Sequence, residues 1–416
     1  MLKKVVLILA ILLEVLSVWG QHRIAIVDDA QGSRLTIDGK VLFVNGMNWD
    51  YTPIGTNYAY NLWDQPEEMI RKALDNEMTM LKKMGVNVIR QYATIPPRWV
   101  QYIYEHYGIY TMINHSFGRY GLVANGVDYS NTDYCLEDIR TTLLQETDRF
   151  VKTYKDIPGV LLYLLGNENN YGLFWGGAET EDIPVADRKS TLQAKCMYRL
   201  MNEATQHIKA MDDSRPVAIC NGDLLFLDII AEECTDVDIL GINCYRGYSF
   251  EDLFREAKEK YGKPVLLTEF GADALNAVTG EEAQQEQADI LLANWQEIYM
   301  NAAGMGLAGN CLGGFTFQFS DGWWKYGQTW NLDIHDKNAS WVNGGYQFDY
   351  VKGQNNMNEE WFGICAKEHP DDKGLYKLHP RQAYYLLKKV HRQSPYSTTP
   401  AKLRKHFKKI QANIKK

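Results

Sequence analysis

Eight short apolar runs, each separated from the next by a longer segment, organise this chain from Val41 to Phe319. They cover Val41–Asn48, Val86–Tyr92, Ile109–Ile113, Val160–Leu165, Pro216–Cys220, Val237–Asn243, Val265–Glu269 and Leu312–Phe319. Nearly continuous Val, Ile and Leu, rather than strict alternation, marks parallel strands covered on both faces. The intervening segments predict helices, among them Trp99–Tyr107, Leu136–Tyr154, Leu192–Met211, Phe250–Tyr261 and Glu281–Ala303. Asp64-Gln65-Pro66-Glu67 predicts a capping box opening a further helix that stops at Gly85. Eight buried strands alternating with helices is the count of an α/β (β/α)8 TIM barrel. A doubly wound sheet would want a glycine-rich phosphate turn after its first strand, and Asn45-Gly46-Met47-Asn48-Trp49 is not one.

The flanks are simpler. Arg23–Val27 and Arg34–Ile37 predict a short N-terminal β-hairpin turned near Gln31-Gly32, and Arg381–Val390 predicts a helix in a C-terminal segment that closes the barrel wall. The first 20 residues predict an export signal: Lys3 and Lys4, an apolar run Val5–Leu13, and small Val18 and Gly20 before Gln21. No other run reaches the roughly 18 apolar residues of a membrane span. The expected organisation is therefore a signal over 1–20, one barrel domain over 21–395 and a basic tail over 396–416 that frays into solvent. The mature chain is expected in the periplasm or outside the cell.

A net charge of −8 without a basic stripe argues against nucleic acid as partner. The seven cysteines lack CxxC spacing and HExxH is absent, so neither a zinc site nor any other metal is predicted. The cysteines read as mostly buried small side chains, with one disulfide allowed. Aromatic residues make up 12% of the chain, 26 of them Tyr and 11 Trp, which suits either a core or stacking on sugar rings.

In such barrels chemistry sits at the C-terminal strand ends. Two carboxylates stand there: Glu168 in Leu165-Gly166-Asn167-Glu168, after the fourth strand, and Glu269 in Leu267-Thr268-Glu269-Phe270, at the end of the seventh. A charge at the tip of an apolar run is costly unless it is paired or used. Each alone reads equally as a helix cap or a structural ion pair. Together they are the pair that glycosidic cleavage requires, one acid and one attacking or activating carboxylate.

Gly166-Asn167-Glu168 and Thr268-Glu269-Phe270-Gly271 resemble the acid/base and nucleophile motifs of clan A retaining glycoside hydrolases. Asn45-Gly46-Met47-Asn48, Asn87-Val88-Ile89-Arg90, Gly241-Ile242-Asn243-Cys244-Tyr245 and Trp361-Phe362-Gly363-Ile364 resemble the family 2 catalytic barrel most closely. The chain departs from that family where Tyr163-Leu164 replaces its usual aromatic-Ser. The barrel also resembles the fungal β-1,3-glucanosyltransferases of family 72. The resemblance implies that Glu168 is acid/base, Glu269 nucleophile, and that no cofactor is needed. Asn167 would then donate to the sugar 2-hydroxyl, Tyr245 would orient Glu269, and the charge of Arg90 would lower the pKa of Glu269. Trp323, with Trp324 as its alternative, would floor the reacting subsite. His115 would either touch substrate or serve the fold. Trp49, Tyr51, Tyr58, Tyr60 and Trp63, with Tyr171–Trp175, would either line further subsites or pack together. The expected activity is retaining hydrolysis of a β-linked oligo- or polysaccharide. Transglycosylation on a β-glucan and carbohydrate binding without turnover are the alternatives.

Overall fold

The computed structural model describes residues 22–92, 94–173, 184–340 and 357–414; the expected export signal lies outside them. A small antiparallel sheet comes first: β1 Ile24–Asp29, β2 Gly32–Ile37 and β3 Lys40–Leu42. The barrel follows with β4 Val44–Asn48, β5 Val88–Arg90 and β6 Tyr110–His115. After a hairpin of β7 Leu122–Ala124 and β8 Val127–Tyr129 come β9 Val160–Leu165, β10 Val217–Gly222, β11 Ile239–Asn243 and β12 Val265–Phe270. A second hairpin, β13 Leu275–Asn276 with β14 Glu281–Glu282, precedes the last barrel strand, β15 Cys311–Thr316. The eight barrel strands pair in parallel, each with its neighbours in sequence, and β15 closes on β4. The expected (β/α)8 TIM barrel is therefore the fold. The run read as one strand over 41–48 is two strands, because β3 belongs to the N-terminal sheet.

The helices longer than one turn are α1 Glu67–Met84, α2 Pro97–Tyr107, α3 Glu137–Tyr154, α4 Lys189–Met211, α5 Leu227–Glu233, α6 Leu253–Lys260, α7 Gln284–Met300, α8 Gln382–Val390 and α9 Pro400–Ile414. Helix α1 ends as expected at Gly85, whose φ of 96° is a left-handed value that suits glycine. The predicted capping box is absent. Asp64 closes a 3-10 turn, Leu62–Asp64, and Pro66 precedes α1 without a side-chain cap. Glu67 and Glu68 in the first turn still meet the positive end of the helix dipole.

Strand parity builds two cores. One set of side chains, including Val44, Val88, Met112, Leu162, Leu164, Cys220 and Leu266, fills the barrel interior, where Ile24 and Leu35 of the N-terminal sheet join it. The opposite parity, including Met47, Ile89, Ile113, Tyr163 and Leu165, packs outward against the helices. The C-terminal segment adds β16 Cys365–Lys367 and β17 Leu378–Pro380. It is locked to the loop after β15 by a buried pair in which Arg381 donates to both oxygens of Asp321 at 2.7 Å. One disulfide joins Cys135 to Cys196, and the other five cysteines are buried thiols.

Among the described residues the basic tail, 396–414, does not fray. Its residues form α9, whose Leu403, Phe407 and Ile410 are buried against the rest of the fold, with the Phe407 ring 5.5 Å from that of Tyr299 on α7. The lysines that made it look like a solvated tail occupy the outer face. Phe407→Ala is expected to cost about 3–5 kcal/mol, as for other buried Phe truncations. Lys409→Ala, on the exposed face, is expected to change stability by less than about 0.5 kcal/mol. Urea unfolding of the two variants measures this; equal stability would mean that α9 does not dock.

Candidate active site

The top of the barrel interior continues the inward parity with polar side chains. Asn48 follows Val44, Arg90 follows Val88, Asn114 follows Met112 and Thr268 follows Leu266, each on the same face of its strand. Arg90 is fully buried and organises this layer. Its Nη1 donates to Glu269 Oε1 at 2.9 Å, and its Nη2 to Asn114 Oδ1 and Asn167 Oδ1, both at 2.8 Å. Glu269 receives two more hydrogen bonds, from Tyr92 OH to Oε1 at 2.5 Å and from Tyr245 OH to Oε2 at 2.9 Å. Three donors thus converge on one buried carboxylate. The β11–β12 register shifts where Asn243 pairs with Glu269, and such a bulge re-aims a side chain at a strand end.

Glu168 follows β9 with a left-handed backbone, φ 56°. Non-glycine residues hold that conformation at a cost, and it turns the chain sharply at the barrel rim. Its Oε1 accepts from Asn243 Nδ2 at 3.1 Å. Burial first, and then the negative charge of Glu269, push its pKa up to about 7. The two carboxylates thus have opposite environments: one is rich in donors, the other receives a single neutral amide bond.

Asn167 sits between them. Its Oδ1 accepts from Arg90 and from Asn243 Nδ2, the latter at 3.1 Å. A guanidinium only donates, so the amide orientation is fixed and the Nδ2 group faces the other way. That Nδ2 donates to Tyr120 OH at 3.0 Å.

Six of the eight residues predicted for the site bear on this arrangement or its rim. Glu168, Glu269, Asn167, Arg90 and Tyr245 are drawn together. Trp323 lies in the loop after β15, flat against His335 at 4.6 Å, and its buried indole N–H has no acceptor among the described residues. The other two are corrections. Trp49 is fully buried outside the barrel, donating to Glu77 Oε2 of α1 at 2.6 Å. His115 also has outward parity. It packs edge-on to Phe150 of α3 and lies 3.7 Å from Glu146, and burial lowers its pKa to about 4. Most of the aromatic loop packs inward as well: Tyr51 stacks on Tyr376 at 4.5 Å and Trp63 lies against Trp99. Phe174 and Trp175 lie outside the described residues. The sequence reading gave no role to Tyr92, Asn114 or Tyr120. Counting parity back from the apolar residues would have found Asn114, whereas Tyr120 lies in a loop with no periodic signal. Among the described residues no group of three or more His, Cys, Asp or Glu is placed to hold a metal ion, and no helix is long and apolar enough to cross a membrane.

A closed parallel eight-stranded barrel with two unequal glutamates at its C-terminal rim is the architecture that the resemblance to glycoside hydrolase barrels implies. The family model described as glycosyl hydrolases family 2, TIM barrel domain, matches residues 31–303, and the chain belongs to that family. No curated protein matches it by sequence. Among solved structures it is similar to the β-D-glucuronidase of Dictyoglomus thermophilum, at 14% identity and TM-score 0.54, over 89% of this chain and 54% of that one. It is similar to the family 2 β-galacturonidase of Eisenbergiella tayi bound to galacturonate, at 17% identity and TM-score 0.52, over 90% and 54%. A Bacteroides uniformis β-glucuronidase gives 13% identity and TM-score 0.56, over 87% and 36%. The chain thus spans about half or less of the length of these proteins, and likeness at this identity extends to the fold.

Proposed function

We propose that the chain is a retaining β-glycoside hydrolase acting on a β-linked oligo- or polysaccharide, with Glu269 as nucleophile and Glu168 as acid and then base. The observation that carries this reading is the asymmetry of the two carboxylates. Arg90, Tyr92 and Tyr245 surround Glu269 with donors and hold it aimed, as a nucleophile needs. Glu168, with its pKa near 7, keeps a proton at neutral pH, as the acid needs.

In the first step Glu269 attacks the anomeric carbon, the bond from that carbon to the leaving oxygen breaks, and Glu168 gives that oxygen its proton. The resulting ester removes the charge of Glu269, and with it one cause of the raised Glu168 pKa. Glu168 then stays ionised more readily. It takes a proton from water as the water attacks the same carbon and Glu269 departs. Asn167 Nδ2 exchanges Tyr120 for the sugar 2-hydroxyl, and Trp323 floors the subsite for the bound ring. The alternatives, transglycosylation and binding without turnover, share this site and differ in the second step.

The pH profile tests the assignment. Only protonated Glu168 can serve the first step, so kcat/KM on a substrate with a poor leaving group should fall about tenfold per unit above pH 7. In Glu168→Gln, assayed on the same substrate, the residual rate should lose that alkaline limb. Its persistence would mean that another group titrates.

A further inference from the structure

We propose that a wall formed by Tyr58, Tyr120, Trp324, Tyr326 and Glu359 binds further units of a neutral β-linked glycan, beyond the sugar that reacts. This rests on the retaining-glycosidase reading and names the substrate class and mode of binding.

The observation is a run of three exposed tyrosines that ends on Trp324. Tyr58, Tyr120 and Tyr326 are 47%, 52% and 69% exposed, whereas Trp49, Tyr51, Phe117 and Phe319 of the same loops are buried. Their spacing is continuous: Tyr120 to Tyr326 is 6.1 Å between ring centres, Tyr326 to Tyr58 is 5.8 Å, and Tyr58 to Trp324 is 5.5 Å. The run starts at the site itself, since Tyr120 OH is 3.0 Å from Asn167 Nδ2. Backbone ties hold it in place. Gly55 N donates to Leu332 O at 2.9 Å and Asn57 Nδ2 to Gln328 O at 2.8 Å, binding the loop after β4 to the loop after β15. A rigid, exposed aromatic surface suits the apolar CH face of a pyranose.

Charge sets the sugar class. Tyr326 N donates to Glu359 Oε2 at 3.3 Å, which puts a carboxylate at this wall, and Glu359 is close enough to feel the charge of Glu269. The neighbouring cations are engaged. Arg90 is committed as described, Lys325 bonds Asp336 and Glu360 at 2.6 and 2.7 Å, and Arg119 Nε donates to Asn167 O at 3.0 Å. Hydroxyls can donate to Glu359, whereas the carboxylate of a uronic acid would be repelled.

The test begins with p-nitrophenyl β-glycosides of glucose, galactose, mannose, xylose and glucuronic acid, to find the accepted sugar. Oligosaccharides of that sugar, two to six units long, follow. We expect a neutral sugar to be preferred and kcat/KM to rise at least tenfold from two to five units. Tyr58→Ala and Tyr326→Ala should flatten that rise while leaving the p-nitrophenyl glycoside within twofold of wild type. A length-independent wild-type rate, or preference for the glucuronide, overturns the proposal and leaves the glycosidase reading standing, because an aryl glycoside is still turned over. If no glycoside reacts, the glycosidase reading fails, and migration in native gels containing β-1,3-glucan, β-1,4-mannan or xylan tests the wall alone. Retardation lost in Tyr326→Ala supports it; migration unaffected by all three polymers overturns it.

Discussion

Glu269→Gln should reduce turnover roughly 10^5-fold on every substrate, whatever its leaving group, because no oxygen nucleophile remains to form the glycosyl-enzyme. The substitution keeps the shape of the side chain but removes the charge that Arg90, Tyr92 and Tyr245 converge on. Arg90 is then a buried cation with weaker compensation, a change that costs about 3–5 kcal/mol when a partner is lost outright. A thermal melt of the variant is therefore part of the measurement. A folded, inactive Glu269→Gln supports the role, whereas an unfolded one would show only that the pair holds the barrel rim. Glu269→Ala gives the second readout. With the side chain removed, azide can enter from the face that Glu269 occupied, and with an activated glycosyl fluoride it should give a product of inverted configuration. Retained configuration would remove Glu269 from the nucleophile role.

Fold and site were legible in the sequence to different depths, for physical reasons. Strands buried on both faces must be apolar throughout, so the eight runs announced the barrel. A charge at the end of such a run is expensive, so Glu168 and Glu269 stood out. Continuous apolarity hides parity, however, and parity decides which strand-end residues face the cleft. Trp49 and His115 sit at strand ends but follow Asn48 and Asn114 by one residue, which turns them onto the helices. Loops gave the weakest signal. Tyr58 and Tyr51 belong to one aromatic stretch, yet one is exposed beside Tyr326 and the other is buried on Tyr376. Tertiary packing, not local pattern, separates them. Helix α9 was misread for the opposite reason: its many lysines masked three apolar residues spaced to form one buried stripe.

Glu168→Gln should behave unlike Glu269→Gln, and the difference depends on the leaving group. A poor leaving group such as an alkoxide needs the proton that Glu168 supplies, so turnover of an unactivated β-glycoside should fall by about 10^2–10^4-fold. A dinitrophenolate needs no proton, so the first step should survive, and with Glu269 intact the glycosyl-enzyme should accumulate. The second step should slow, because Gln cannot take a proton from water. A burst of dinitrophenol followed by a slow steady rate is the expected time course. Azide attacks without a base, so it should restore the steady rate and give the glycosyl azide with the configuration of the substrate. The loss of one carboxylate also removes the repulsion between the pair. Glu168 pays for its raised pKa in stability above the ordinary carboxylate range, so the variant should melt higher than wild type at pH 8 and no higher at pH 4. Equal loss on activated and unactivated substrates, or rescue by azide with inversion, would show that Glu168 is not the acid/base.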